Sequence, residues 1–276
     1  MTDSVNRTDD FTALALSQVR IVLVHPRHPG NIGAAARALK NMGLSRLIIV
    51  GDTPTDHPEA RAMSSGALDL LRRAERVTSL HAAIGDTQLQ FALTAREREI
   101  AQQPMLPRQA ASEAVAAVAS SLAPVALVFG NETFGLSNED ILACNRLVHI
   151  PANPGYSSLN LAAAVQVMTY ELRMAALAHG ALGTEAEATA SQALAMHSAP
   201  QQDVERFFVA LEQSLVHSGF LQPDNPRRLM EKLRRLFHRA ALQAEEVHIL
   251  RGMLARWDEK AGQATQRQSR IDGKPE

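Results

Sequence analysis

The chain has 276 residues, of which 46% are hydrophobic, 4% aromatic and 21% charged, and its formal net charge is −1 at pH 7. This size allows one large domain or a domain with an appendage, and the balanced charge means that nucleic acid could be bound only by a local basic patch. One cysteine excludes an internal disulfide framework and a CxxC zinc site, and no run of about 18 apolar residues is present. We therefore expect a cytoplasmic protein without a membrane span.

The polar first segment, residues 1–17, is expected to be a flexible tail. Short apolar runs then alternate with helical patterns over residues 18–180. The predicted strands are Val19–His25, Arg46–Gly51, Gln90–Thr94, Val125–Gly130 and Leu147–Ile150, and the predicted helices are Asn31–Met42, Gln109–Leu122, Asn138–Cys144 and Ser158–His179. Because the strands are continuously apolar, they predict an α/β domain with a parallel sheet covered by helices on both faces.

A second, smaller region follows the α/β domain. Residues 181–200 are rich in Ala, Gly, Thr and Ser and are expected to form a linker. Residues 201–260 contain two helical patterns, Asp203–Gly219 and Arg227–Trp257, which predict an all-helical extension. Residues 261–276 are expected to be a second flexible tail.

The first candidate functional loop lies in "HPRHPGNIGAAARALKNMG", residues 25–43. Pro29 and Gly30 turn the chain, Asn31 is suited to cap a helix, and the small residues after it permit close backbone approach. Arg37 lies off the apolar side of this helix, so the core does not require it. A surface arginine would explain the pattern, as would a phosphate site at the helix N-terminus. Neither GxGxxG nor GxxxxGK[ST] is present, which counts against a dinucleotide site.

Two further loops follow predicted strands. The segment "ALVFGNETFGL" ends in a loop with Gly130 and Glu132, and "HIPANPGYSSLNLAAAVQVMTYEL" opens a long helix with Ser157, Ser158 and Asn160. Taken singly, tight turns and helix capping account for these residues. Three Gly/Pro loops at strand ends, however, are typical of the place where open α/β sheets bind ligands.

Together the three stretches resemble, in order and separation, the three motifs of the TrmH/SpoU branch of the SPOUT RNA methyltransferases. The segment after residue 200 further resembles the helical extension of the TrmJ subgroup. The resemblance implies a trefoil knot in the sheet, a homodimer and S-adenosylmethionine as methyl donor. It also implies tRNA as substrate, with 2′-O-methylation of cytidine or uridine at position 32 of the anticodon loop.

The resemblance also implies the site residues. The cofactor-binding set is Leu93, Thr94, Ala95, Gly130, Ile150, Ser157, Ser158 and Leu159. The catalytic set is Arg37, Asn31, Glu132, Ser158 and Asn160. The donor is already reactive, so alignment and removal of the hydroxyl proton are the main tasks.

Arg37 matches the catalytic arginine of the family. Arginine is a poor general base, so we favour a role in binding the adjacent phosphate and stabilising the developing alkoxide. Direct proton abstraction by a neutral Arg37 is the alternative and requires a large pKa shift. Asn31 would hold the first loop or the RNA, and Asn160 would stabilise loop geometry. Glu132 would organise the second loop or position Arg37 of the partner subunit.

Histidines and basic residues complete the candidates. His25 and His28 lack a carboxylate or cysteine cluster, so we expect loop or RNA contacts and no metal site. Residues 227–251 contain seven basic residues and three acidic ones. A basic stripe at helical spacing predicts RNA contact beside an apolar stripe that packs inward. The basic stripe is Arg228, Lys232, Arg235 and Arg239, and the apolar stripe is Leu229, Leu233, Leu236 and Ala240.

Three alternatives remain beside a tRNA ribose methyltransferase. One is the same chemistry on another RNA, such as ribosomal RNA. Another is a non-catalytic knotted RNA-binding protein, against which the intact Asn31, Arg37, Glu132 and Ser158 argue. The third is a nucleotide-dependent oxidoreductase, which the missing GxGxxG and the two later motifs make less favourable.

Overall fold

The computed structural model describes residues 2–95, 103–182, 199–222, 228–240 and 242–272, with the backbone alone at residues 2–7, 182, 238–239 and 261–272. The chain divides into two compact units, with the boundary between residues 196 and 197. No helix within the described residues is long and apolar enough to cross a membrane.

The first unit contains a six-stranded parallel sheet with the order β3-β2-β1-β5-β4-β6. The strands are β1 Val19–Val24, β2 Arg46–Val50, β3 Glu75–Val77, β4 Leu89–Leu93, β5 Val125–Phe129 and β6 Arg146–Val148. All five predicted strands are confirmed to within one or two residues at each end. The edge strand β3 was missed because it has only three residues and two of them are exposed.

Helices cover both faces of this sheet, which confirms the predicted α/β architecture. The helices of this unit are α1 Thr2–Ser17, α2 Pro29–Met42, α3 Pro58–Ser64, α4 Leu68–Arg73, α5 Leu80–Ile84, α6 Pro107–Ala119, α7 Asn138–Leu142 and α8 Leu161–Leu182. Buried side chains of α1, α2, α6 and α8 form one core with the sheet, and those of α5 and α7 form the other. The trefoil knot stays a prediction.

The expected N-terminal tail is a helix instead. Ala15 and Leu16 of α1 are buried in the core, and the ring of Phe11 stacks on His179 of α8 with centroids 4.9 Å apart. These apolar residues follow helical spacing, so they bury one face of α1. The polar start of the segment concealed this face. At the other end of the unit, α8 continues to Leu182, and residues 183–198 of the expected linker lie outside the described residues.

One buried charge is important for the stability of this unit. Arg20 lies in the middle of the sheet and is 3% exposed, and its guanidinium donates to both carboxylate oxygens of Asp86 at 2.7 and 2.8 Å. It also donates to the Ala83 carbonyl. Hydrogen bonding by Arg20 outweighs desolvation and lowers the pKa of Asp86. The carboxylate therefore compensates a cation that would otherwise be buried alone.

Asp86→Asn should therefore destabilise the protein. Removing one partner of a fully buried pair costs about 3–5 kcal/mol, and because Asp86 itself is largely exposed we expect about 1–3 kcal/mol. Urea unfolding at pH 7 measures this loss. The control is Asp52→Asn, since Asp52 is fully exposed and its ion pair with Arg76 is long, at 3.8 Å. Equal stability of the two variants would contradict the role given to Asp86. Because the pKa of Asp86 is lowered, the effect should shrink as the pH falls below about 4.

The second unit is helical in the described residues, as predicted. Its helices are α9 Gln201–His217, α10 Leu229–Ala240 and α11 Ala244–Asp272. The single pattern predicted over Arg227–Trp257 is in fact two helices, since the Gln243 amide donates to Glu246 Oε2 at 2.8 Å and starts a new helix. The expected tail after residue 260 continues α11 to Asp272, and residues 273–276 lie outside the described residues.

The packing of this unit corrects the predicted apolar stripe of α10. Met230, Leu233 and Phe237 pack on a core that includes Phe207 and Phe208 of α9, whereas Leu236 is 49% exposed. The buried face of α10 is therefore rotated from the prediction. Arg234 also lies on the inner side: its guanidinium donates to both Glu205 carboxylate oxygens at 2.6 and 2.9 Å and stacks over the Phe208 ring.

Candidate active site

The three loops singled out in the sequence meet at one edge of the sheet. They follow β1, β5 and β6, and the carboxyl ends of parallel strands lie on the same edge. The first loop leads into α2, the second into α7 and the third into α8. Residues far apart in the chain are thereby brought within hydrogen-bonding distance.

Side chains of all three loops form one hydrogen-bonded junction. Asn160 Nδ2 donates to Asn31 Oδ1 at 2.9 Å, and Asn31 Nδ2 donates to Glu132 Oε1 at 2.7 Å. Asn160 Oδ1 in turn accepts the amides of Ala162 and Ala163, which caps the first turn of α8. The junction thus fixes the starts of α2 and α8 relative to the second loop. We refer to Asn31, Glu132 and Asn160 as the junction.

Glu132 is the acceptor at the end of this junction. Besides Asn31, the backbone amides of Arg27 and His28 donate to its carboxylate at 2.7 and 3.2 Å. Desolvation raises the pKa of Glu132, but the hydrogen bonds from Asn31 and the two amides outweigh it, so the pKa is lowered. Glu132 is therefore an anion at neutral pH whose lone pairs are largely occupied, which suits a positioning residue better than a base.

Helix α2 begins earlier than predicted. His28, not Asn31, is the N-cap, and it makes no side-chain capping bond. Pro29 occupies the first turn, where a missing amide is tolerated. Asn31 is thereby left inside the helix with its amide committed to the junction. The expected close approach is confirmed at Gly33, where an added Cβ would lie 2.0 Å from the Ala60 carbonyl oxygen of α3.

A cleft opens between the second and third loops and the end of β4. It encloses about 790 Å³ of empty space, part of it open to solvent. Its lining includes every residue of the predicted cofactor-binding set. These residues are Leu93, Thr94, Ala95, Gly130, Ile150, Ser157, Ser158 and Leu159. Glu132 also lines the cleft, so the junction borders it.

Gly130 shapes the wall of this cleft because the second loop folds back on it. A Cβ at position 130 would lie 2.1 Å from the backbone of both Gly135 and Leu136. Gly130→Ala should therefore displace the loop, and we expect it to raise the dissociation constant of S-adenosylmethionine, the methyl donor that the motif resemblance implies, at least 10-fold, as measured by calorimetry. Gly155→Ala in the third loop is the matched control, because its Cβ would meet only Asn153 Oδ1 at 3.5 Å. Equal donor affinity in both variants would show that this backbone contact is dispensable.

The structure does not bring Arg37 into the cleft of its own chain. Its side chain is exposed on α2, makes no hydrogen bond with any described residue and is absent from the cleft lining. His25 and His28 are likewise exposed on the first loop. No group of three His, Cys, Asp or Glu in the described residues could hold a metal ion. The lone cysteine, Cys144, is buried, and burial raises the pKa of its thiol.

Sequence reasoning missed two residues at this edge. Arg27 Nη1 donates to Thr133 Oγ1 at 3.1 Å, which adds a second link between the first and second loops. Phe134 lines the cleft although its side chain is 65% exposed. The available signal was an aromatic residue between the two glycines of a loop, outside the apolar run of the preceding strand.

The predicted basic stripe lies at the start and on the outer side of α10. Arg228 and Lys232 are exposed and Arg235 is half-buried. Arg228 precedes the helix with φ of 56°, and its carbonyl accepts the Lys232 amide. Arg239 lies on α10, but its side chain is outside the described residues. Arg234 turns inward, whereas Arg228 and Lys232 remain on the solvent side.

The match to a family model decides the assignment of the first unit. Residues 18–170, which contain all three loops, match the model of the SpoU rRNA Methylase family. The chain belongs to the SpoU methylase family. Residues 202–268 of this SpoU family member match the model of the C-terminal domain of the tRNA methyltransferase TrmJ. The predicted family and its TrmJ-type extension are thereby confirmed.

Similar proteins agree with this assignment over most of the chain. A tRNA (cytidine/uridine/adenosine-2′-O-)-methyltransferase TrmJ of Pseudomonas aeruginosa is 44% identical over 87% of this chain and 93% of its own length. The crystal structure of TrmJ from Z. mobilis has a TM-score of 0.72 at 30% identity and covers 86% of this chain and 97% of its own. A probable methyltransferase from Bordetella pertussis, 45% identical, covers 59% of this chain and 99% of its own with a TM-score of 0.57.

Proposed function

We propose that this SpoU family member transfers a methyl group from S-adenosylmethionine to a ribose 2′-hydroxyl of tRNA, at cytidine or uridine 32 of the anticodon loop. The observation that carries the proposal is the junction at the border of the cleft, in a chain whose two units match a methylase family and a tRNA methyltransferase extension. We also propose a cytoplasmic location.

The cleft residues fit a bound S-adenosylmethionine. Leu93, Ile150 and Leu159 offer apolar surface for an adenine ring, and Ser157 and Ser158 offer hydroxyls for the polar parts. The bound donor supplies an activated methyl group. The tasks left to the chain are to align the 2′-hydroxyl and to remove its proton.

The junction residues serve the alignment, and Arg37 lowers the cost of losing the proton, which is released to solvent water as the oxygen attacks the methyl group and the sulfonium becomes a thioether. Glu132 holds the first two loops together and, with Asn31, fixes the surface that a ribose would meet. Asn160 fixes the loop that carries Ser158. Arg37 presents an exposed guanidinium, without a hydrogen bond to any described residue, on the same helix as Asn31, which suits binding the adjacent phosphate and stabilising a developing alkoxide.

The position of Arg37 supports an active site that is shared between the two subunits of a homodimer. In one copy it lies outside the cleft lining, and α8 leaves an apolar stripe partly exposed: Ala163, Val167, Tyr170, Met174 and Ala178. A second copy packed on this stripe would complete each site with the partner's Arg37. Sedimentation should give a dimer, and at a limiting donor concentration a mixture of the Arg37→Ala and Gly130→Ala variants should be more active than either variant alone. A fully active monomer would contradict the shared site.

The basic stripe, Arg228, Lys232, Arg235 and Arg239, is proposed to contact tRNA phosphates. The test is a triple variant in which Glu replaces the three members with described side chains, Arg228, Lys232 and Arg235. This variant should bind tRNA at least 10-fold more weakly, and the salt slope of log K should fall by about one per lost contact. Filter binding over a range of salt concentrations measures both. Reversing the exposed Arg206, Arg256 and Lys260 makes the same charge change elsewhere in the unit and is the control. An unchanged slope in the stripe variant would remove the stripe from the tRNA site.

The proposed reaction is tested with labelled methyl donor and unmodified tRNA transcripts, followed by mapping of any 2′-O-methyl group. Methylation at position 32 supports the proposal. Methylation of ribosomal RNA instead would favour the substrate named in the family model of the first unit. Donor binding without methylation of any RNA would favour a non-catalytic RNA-binding protein.

A further inference from the structure

A second cleft lies on the other side of the second loop. It is bounded by the end of β1, the loop itself and the start of α7, and its lining includes His25, Phe134 and Ser137. Phe134 lines this cleft and also the cleft bordered by the junction. The second cleft is therefore separated from the methyl-donor cleft by little more than this loop.

The exposed ring of Phe134 stands on a well-ordered loop. Asn131 Oδ1 accepts the amides of Thr133 and Phe134 at 2.9 and 2.7 Å, and the Asn131 carbonyl accepts the Gly135 amide at 2.9 Å. The backbone around Phe134 is thus held by three hydrogen bonds within five residues. Because the ring is 65% exposed, it contributes little to the packing of the core. It is instead available to contact a bound molecule.

His25 faces the same cleft in an unusual backbone conformation. Its φ is 47°, in the left-handed region that non-glycine residues rarely adopt. Its amide donates to the Val50 carbonyl at 2.9 Å, and its imidazole lies so close to Gly51 that a Cβ there would come within 2.6 Å of Nδ1. The backbone of His25 is therefore tied to β2, and its ring packs against Gly51. Such outliers persist where the surroundings over-determine them, and they concentrate at functional sites.

From these observations we propose that the second cleft binds a nucleobase of the substrate RNA, stacked against the rings of Phe134 and His25. RNA bases that are splayed out of a loop are commonly stacked on aromatic side chains, histidine included. Phe134 is one of the exposed aromatic residues of the chain, and it lies beside the site. This inference rests on the proposed function and deepens it by placing part of the substrate.

The position of the cleft relative to the junction supports this occupant. Arg27, two residues after His25, donates through its backbone amide to Glu132 and through its guanidinium to Thr133. The loop that carries His25 is therefore attached directly to the loop that carries Phe134 and Glu132. A nucleotide whose ribose or phosphate lies at the junction has its own base, or that of its neighbour, within reach of the second cleft.

The polar groups on the α7 side of this cleft are already used in hydrogen bonds to each other, which favours stacking over edge reading there. Ser137 Oγ donates to Asp140 Oδ2 at 2.7 Å and accepts the Asp140 amide at 3.0 Å, while the Ser137 amide donates to the same carboxylate. These groups are committed to capping α7. Stacking is tolerant of base identity because every base has a π face. The cleft would therefore accept more than one base.

Two variants test the proposal. His25→Asn removes the imidazole but keeps a residue that tolerates left-handed φ, and Phe134→Leu removes the ring but keeps an apolar side chain. With full-length protein and tRNA transcripts, each should raise KM for tRNA about 5- to 150-fold, which corresponds to about 1–3 kcal/mol for one stacked base. Phe134→Tyr should behave as wild type. His25→Asn should leave the dissociation constant of the methyl donor unchanged, which excludes an effect on the donor site.

A direct readout of stacking separates this inference from the proposed function. Anticodon stem-loop RNAs with a single 2-aminopurine at successive loop positions are bound to each protein. At one position, fluorescence should be quenched by wild type and Phe134→Tyr, but not by His25→Asn or Phe134→Leu. Wild-type KM values and quenching in the latter two variants would overturn the stacking cleft while leaving the methyltransferase proposal intact. Quenching without methylation of any RNA would support the cleft and overturn the methyltransferase proposal.

Discussion

Arg37→Ala should lower the rate of methyl transfer to tRNA about 100- to 1000-fold, the cost of removing one preorganised group that stabilises developing charge. Its side chain is exposed and makes no hydrogen bond with a described residue, so no fold contact explains its presence on α2. We therefore expect the free energy of unfolding to change by no more than about 0.5 kcal/mol. Donor affinity should be unchanged, because the role proposed for Arg37 is to contact the RNA phosphate and the developing alkoxide rather than the donor.

Single-turnover methylation with saturating tRNA and donor measures this effect on the chemical step. Arg37→Lys keeps the positive charge but loses the planar fork, and it should recover only part of the rate if phosphate is held by two hydrogen bonds. Arg72→Ala is the matched control, since Arg72 is exposed on α4 and also lies outside the cleft lining. A wild-type rate for Arg37→Ala would remove Arg37 from the catalytic machinery.

Glu132→Gln should have the second largest effect, about 100-fold on kcat/KM for tRNA. The carboxylate accepts three N–H groups from the first loop, and an amide replaces one of its acceptor oxygens with a donor. One of these donors would then face the new NH₂ group, and the first loop would separate from the second. Glu139→Gln is the control, because Glu139 is exposed on α7 next to the same loop.

The pH dependence of stability tests the same contact independently of activity. Hydrogen bonds to a carboxylate are strong, and with partial exposure we expect Glu132→Gln to lower the free energy of unfolding by about 1–2 kcal/mol at pH 7. Because the pKa of Glu132 is lowered from 4.5, its contribution is complete above that value and is lost as the pH falls through the lower folded-state pKa. Urea unfolding at pH 7 and at about pH 3 should show the difference shrinking. A difference independent of pH would mean that charge is not involved.

The sequence was most informative where its local signals were strong. Continuous apolar runs predicted five of the six strands, because a central parallel strand is buried on both faces and needs no long-range information to be recognised. The short edge strand Glu75–Val77 and helix α1 were missed for the opposite reason. Their stability comes from neighbours, since β3 lies at the edge of the sheet beside β2, and α1 packs an apolar face on α8 that its polar first residues do not reveal.

For the functional residues, too, the sequence identified the candidates and the tertiary structure decided their contacts. Residue types and order within three short motifs identified the family and selected Asn31, Glu132 and Asn160 as candidates. Only the tertiary structure decided that these three share one chain of hydrogen bonds, because their partners lie about 100 residues or more apart in the chain. It also decided that Asn31 does not cap α2, that Arg37 lies outside the cleft of its own chain, and that Phe134 stands between two clefts. The residue types and their spacing within a motif indicate which chemistry the motif can perform. Which motif residues contact one another depends on the tertiary structure, because the parallel strands bring their carboxyl ends to one edge of the sheet.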